Sequence, residues 1–121
     1  MSKILVIDDE ANIQKLIKAN LAARGYKVTV AGDGEKGLKL AQQEQPDLIF
    51  LDIMLPGMSG WDVLMSLKNN QKLRKIPVII MTAAVLEGDE YKMRSLRVDG
   101  CLNKPFAVDD LMRKVEQALG R

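Results

Sequence analysis

Five short apolar runs punctuate the chain, at KILVID (3–8), KVTVA (27–31), DLIFLD (47–52), IPVIIMT (76–82) and GCLNK (100–104). Their length and their content of Ile, Val and Leu predict strands, and the first, third and fourth are continuous enough to be buried on both faces. Between them the apolar positions recur at helical spacing. Residues 10–24 carry the stripe Ile13, Leu16, Ile17 and Leu21, and the closing segment carries Val108, Leu111, Met112, Val115 and Leu119. Gly25 and Gly120 stand where helix stops belong. Segments 34–44, 60–70 and 87–96 complete the set of five predicted helices, the last with the poorest stripe. No repeat, low-complexity tract or linker interrupts the alternation.

Five strands each followed by a helix predict a doubly wound parallel sheet with right-handed crossovers and helices on both faces. Ligands in such sheets bind at the carboxyl ends of the strands, where the strand order reverses. The residues at those ends are Asp8 and Asp9 after the first strand, Asp52 at the third, Thr82 at the fourth and Lys104 at the fifth. The second strand ends blandly in Ala31 and Gly32. With strand order 2-1-3-4-5, strands one and three flank the reversal and Asp52 comes against the Asp8 and Asp9 pair.

Composition narrows the chemistry. At 121 residues, 47% hydrophobic and 28% charged, the chain fits one globular domain with a real core. A net charge of +2 is too small to imply nucleic acid or an anionic membrane as the main partner. The densest basic stretch, KNNQKLRK at 68–75, reads as a solvated helix end and loop. One Cys and no His exclude an internal disulfide, a Cys/His zinc cluster and any imidazole base within the chain. No apolar segment approaches a membrane span, and neither signal peptide nor anchor is expected, which points to the cytoplasm.

Each strand-end residue has a bland role open to it. Asp8 or Asp9 could cap a helix, Asp52 could form a turn ahead of Pro56 and Gly57, Thr82 could cap the next helix, and Lys104 could be a surface charge beside Pro105. Their convergence is what the bland roles leave unexplained. Two carboxylates about 4 to 5 Å apart repel by roughly 3 to 4 kcal/mol at an effective dielectric of about 20, so three need a cation or raised pKa values. An all-oxygen, open site favours a hard ion, and magnesium over calcium, with manganese as a substitute. Magnesium, a carboxylate, a hydroxyl and a lysine are together the parts of a phosphoryl-transfer site.

The segments IDDE, LDIMLPGMSG around Asp52, IMTA and NKPF together resemble, over essentially the whole chain, the receiver domain of two-component response regulators. The resemblance implies a flavodoxin-like fold over 1–121 with no output domain. It implies a switch in which Asp52 accepts a phosphoryl group from a sensor histidine kinase or a histidine phosphotransfer protein. Such a switch is no enzyme beyond self-phosphorylation and self-dephosphorylation. Asp9, Asp52 and the backbone carbonyl of Met54 would ligate magnesium directly, and Asp8 mainly through water. Thr82 and Lys104 would bind phosphoryl oxygens, and Ala83, Cys101 and Pro105 would belong to the switch region, with Lys104 and Pro105 joined in cis. Output is expected through the fourth helix, fifth strand and fifth helix, with phosphorylation promoting a homodimer in which Asp99, Asp110, Arg113 and Lys114 could pair between subunits.

The alternatives fit less well. A magnesium-dependent aspartyl-phosphate phosphohydrolase of the haloacid dehalogenase type looks for an Asp two positions after its nucleophile, where this chain has Met54. A flavodoxin-like carrier or a dinucleotide module needs a phosphate cradle, not three acids, in its first loop. LDIMLPGMSGWDV resembles receivers attached to winged-helix DNA-binding domains, so the chain reads either as a stand-alone relay or as the receiver of a longer regulator. The domain itself is expected to bind neither DNA nor membrane. Two departures from the family stand out. Cys101 holds a position that commonly carries Tyr or Phe, and Arg97 and Val98 replace a common Gly and Ala. The first predicts a switch that works through Thr82 and Lys104 without an aromatic gate.

Overall fold

The computed structural model describes residues 2–83 and 87–120. The elements alternate as the sequence predicts: β1 (Lys3–Ile7), α1 (Ala11–Ala22), β2 (Lys27–Ala31), α2 (Gly34–Glu44), β3 (Leu48–Asp52), α3 (Gly60–Lys68), β4 (Val78–Thr82), α4 (Asp89–Ser95), β5 (Gly100–Asn103) and α5 (Val108–Leu119). The strands form one parallel sheet in the order β2-β1-β3-β4-β5. In register, Ile7 pairs with both Ala31 and Leu51, Asp52 with Met81, and Thr82 with Asn103. The carboxyl ends of the strands therefore form a common edge, and the order reverses between β1 and β3.

Alternate residues of each strand face opposite ways, and the sheet divides two cores. Ile4, Val6, Leu48, Phe50, Ile79 and Met81 pack against α1 and α5 through Ile17, Leu21, Leu111, Met112 and Val115. Leu5, Ile7, Ile49, Leu51, Val78 and Ile80 pack against α2 and α3 through Ala41, Val63, Leu64 and Leu67, with Leu96 and Val98 from the end of α4. The central strands β3 and β4 are buried throughout, while the edge strand β2 is mostly half-buried. Continuous apolar runs thus mark the strands covered on both faces. In the stretch 68–75, expected to be solvated, Leu73 turns inward and joins the second core.

The helix ends follow local chemistry. Asp33 accepts a hydrogen bond from Lys36 N at the start of α2 (2.8 Å), and Ser59 Oγ accepts from Asp62 N at the start of α3 (3.3 Å). Helix α5 ends at Gly120 in the left-handed conformation. Helix α4 ends differently. Val98 N donates to the Met93 carbonyl and Arg97 N to the Arg94 carbonyl, a Schellman motif whose left-handed position is filled by Arg97 at φ 55°. Glycine takes that conformation freely, whereas a side-chain-bearing residue there costs roughly 1 to 2 kcal/mol.

Candidate functional site

At the end of β1 the chain runs from buried Ile7 into Asp8, which is fully buried, and Asp9, which is exposed. These acids do not cap α1. Its N-cap is Glu10, which makes no side-chain capping bond, and Asp8 Oδ1 instead accepts from Glu10 N at 2.8 Å. The Gln14 side-chain amide donates to the Asp8 carbonyl, fixing the turn from the other side. Asp52, 4% exposed, closes β3 beside it, and its Oδ1 accepts from Met54 N at 3.0 Å. Gly60 lets the start of α3 lie against the end of β3, because a Cβ there would run into the Asp52 carbonyl and the Ile53 Cα.

Lys104 enters from β5. Its backbone N donates to the Thr82 carbonyl at 2.7 Å, and the peptide bond to Pro105 is cis. Its ammonium lies 2.7 Å from Asp8 Oδ2, 2.8 Å from Glu10 Oε1 and 3.1 Å from Asp52 Oδ2. Burial works against the charged lysine, but the hydrogen bonds and charges of Asp8, Glu10 and Asp52 outweigh it and raise its pKa. Burial likewise pushes Asp8 above the usual carboxylate range, with Lys104 and the Glu10 N–H pulling the other way. Thr82, buried at the end of β4, stands across the sheet edge from Asn103, and Ala83 follows it at the surface. Residues 84–86, which continue the chain after Ala83, lie outside the described residues.

The donor set suits a hard divalent cation. Among the described residues, oxygens of Asp8, Glu10 and Asp52 all lie within 4.8 Å of one another. Ionised, those three acids outnumber the one ammonium and leave two negative charges uncompensated. Asp8 Oδ2 is buried and meets the Lys104 ammonium at 2.7 Å, and no other donor reaches it among the described residues. That leaves a lone pair suited to an ion or to its water. Glu10 is the site residue that the motif pattern did not single out. Its signal was the third acid of IDDE, which looked like part of a helix start. Asp9 contributes no oxygen to the converging three.

The other residues singled out in the sequence lie outside the cluster. Cys101 is half-buried beside Ile80. The position two residues after Asp52 is Met54, with its side chain 68% exposed. Asp99 accepts from Val78 N at 2.8 Å, and Asp110 pairs with Arg113 one turn along α5 at 3.0 Å. No described helix is long and apolar enough to cross a membrane.

The model of the response regulator receiver domain matches residues 4–116. The chain belongs to that family. This receiver is 40% identical over 121 residues to the DNA-binding dual master transcriptional regulator RpaA of Synechocystis, covering 100% of the chain and 50% of RpaA. It is 37% identical to the polar-differentiation response regulator DivK of Brucella ovis, covering 98% of the chain and 96% of DivK. Among solved structures it resembles the receiver domain of the sensor histidine kinase PA1611 from Pseudomonas aeruginosa PAO1, which holds a magnesium ion in its active-site cleft. That match has a TM-score of 0.89 and 29% identity, covering 99% of this receiver and 98% of the other chain. The receiver thus spans half the length of RpaA and nearly the whole of DivK. The family acts as a phosphoacceptor switch, and the acidic cluster of this receiver fits a magnesium site.

Proposed function

We propose that Asp52 is the phosphoacceptor of a signalling switch and takes its phosphoryl group from a phosphohistidine on a sensor kinase or a histidine phosphotransfer protein. The observation that carries the reading is the placement of the Asp52 carboxylate between Met54 N and the Lys104 ammonium at the strand-order reversal. The chain has no His, so the donor imidazole belongs to another protein. A carboxylate oxygen of Asp52 attacks phosphorus, the O–P bond forms and the P–N bond breaks. The imidazole leaves with the electron pair and takes a proton from water. Lys104 neutralises charge on the phosphoryl oxygens, and the Thr82 hydroxyl binds one of them. Magnesium, or manganese in its place, would be held by Asp9, Asp52 and the Met54 carbonyl, with Asp8 through water, and would neutralise charge on the transferred group.

The output face in this reading is α4, β5 and α5, and on its β5–α5 side Cys101, Pro105, Phe106, Asp110, Arg113 and Lys114 line a groove. Ala83, Cys101 and Pro105 make up the switch region, and phosphorylation promotes a homodimer through this face. Asp99 and the Asp110–Arg113 pair already have intrachain partners, so Lys114 is the better placed of the four for an inter-subunit contact. Residues 1–121 are the receiver, and the half-length match to RpaA supports a DNA-binding output domain as its partner in a longer regulator. The location proposed is the cytoplasm, where the kinase's phosphohistidine would be met.

Incubation with magnesium and acetyl phosphate should add one phosphoryl mass to the wild type and none to Asp52→Asn. Labelling that survives the substitution refutes the assignment. Sedimentation of the phosphorylated protein tests the dimer, and a monomer at high concentration removes it.

A further inference from the structure

We propose that the groove between the ends of α3 and α4 is a second anion site, one that binds a chain of linked phosphates. The groove lies at the amino-terminal edge of the sheet, opposite the phosphoacceptor crevice. It has a volume of about 370 Å³ and is lined by Lys68, Arg74, Lys75, Ser95, Leu96 and Arg97. Four of its six lining residues are cations, and none of its residues is acidic. No described acid forms an ion pair with any of the four. The carboxylate nearest Arg97 in sequence, Asp99, accepts from Val78 N instead. The whole chain has a net charge of only +2, so this concentration of charge is local.

Helix-end compensation explains part of the cluster. Lys68 lies in the last turn of α3, and its ammonium reaches the Arg74 carbonyl at 3.5 Å. Arg74 and Lys75 lie beyond that helix on the turn before β4, and Arg94 already supplies a cation to the last turn of α4. Arg97 is the telling residue. It occupies the left-handed Schellman position, where glycine would be free of strain, and it lines the groove.

Several phosphates in a chain match this charge better than a single anion does. Arginine forks bind phosphate oxygens in pairs, and lysines add point charge between them. The lining has no aromatic ring on which a base could stack, so the phosphate chain is the element recognised.

The test is an amide-resolved NMR titration of the whole chain in metal-free buffer with inorganic triphosphate, and separately with ATP. Shifts should concentrate at Lys68, Arg74, Lys75 and residues 95–97, and not at Asp8 or Asp52. Equal affinity for the two probes assigns the site to phosphate alone. Tighter ATP binding assigns it to a nucleotide, and both outcomes support the proposal. Arg97→Gly removes a cation while relieving the backbone, so it keeps the fold; it should weaken binding by about tenfold, as should Arg74→Gln with Lys75→Gln. Lys36→Gln with Lys39→Gln, on α2, should change nothing. Unchanged affinity in the groove variants, no shifts at millimolar probe, or shifts spread over all surface lysines overturns the proposal. So does a DNA duplex that perturbs these amides when triphosphate does not.

Discussion

Lys104 Nζ stands 3.1 Å from Asp52 Oδ2 across 52 residues of sequence, and the same ammonium touches Asp8 and Glu10. One lysine is thus the positive centre of three carboxylates. Removing it leaves buried acids unscreened, so Lys104→Met in excess chelator should lose about 2 kcal/mol, below the 3 to 5 expected for a fully buried pair because Glu10 is half exposed. Magnesium should recover most of that loss, and should raise the melting temperature of the variant more than that of the wild type. Thermal melts with and without magnesium check this; equal magnesium responses would show that the lysine does not screen the acids.

Asp9 and Glu10 divide the acidic turn, Glu10 facing Lys104 and Asp9 facing solvent. If Asp9 is the direct cation ligand proposed above, Asp9→Asn should weaken magnesium binding by about tenfold or more. Glu10→Gln should affect it less, since its oxygen is engaged by the ammonium. Calorimetric magnesium titrations decide between them, and the reverse ranking would move the ligand role to Glu10.

The order of elements and the strand-end cluster were legible because both rest on periodicity. Continuous apolar runs mark buried strands, and in a parallel sheet the residues after them must share one edge. Asp8, Asp52 and Lys104 come together as that predicts and Thr82 stands on the same edge, whereas Asp9, expected beside them, faces solvent. Glu10 was not legible, because its role depends on a side chain swinging back from a helix start to a lysine 94 residues away. Leu73 was hidden among basic neighbours in a turn without period. Arg97 was visible as a departure from the family, but its left-handed backbone follows from where α4 stops, which a poor apolar stripe does not fix. Leu16, on the predicted stripe of α1, is only half-buried.

Gly60 opens α3 directly under the end of β3, and its N–H donates to the Ile53 carbonyl at 2.8 Å. The atoms that a Cβ would strike are backbone, which cannot rotate away. Gly60→Ala should therefore cost about 1 to 3 kcal/mol and tilt the Asp52 carboxylate away from Met54 N. Slower labelling by acetyl phosphate together with a lower melting temperature is expected. A variant as stable and as quickly labelled as wild type would show that the turn has slack.

Cys101 offers a pH readout on the face proposed for output. Burial raises its thiol pKa above the ordinary 9.0; the Lys114 charge opposes the shift and the Asp89 charge adds to it. Above the ordinary value the folded protein keeps a proton that the unfolded chain has lost, so stability falls as pH rises from there through the raised pKa. Cys101→Ser should flatten that part of the stability profile. Alkylation by iodoacetamide should show a native midpoint above 9.0, moving back toward 9.0 in denaturant. Phosphorylation that shifts β5 against α5 should move the native midpoint by changing what covers the thiol. An alkylation profile identical in folded, unfolded and phosphorylated protein would mean that Cys101 is open to solvent throughout and plays no part in the packing of this face.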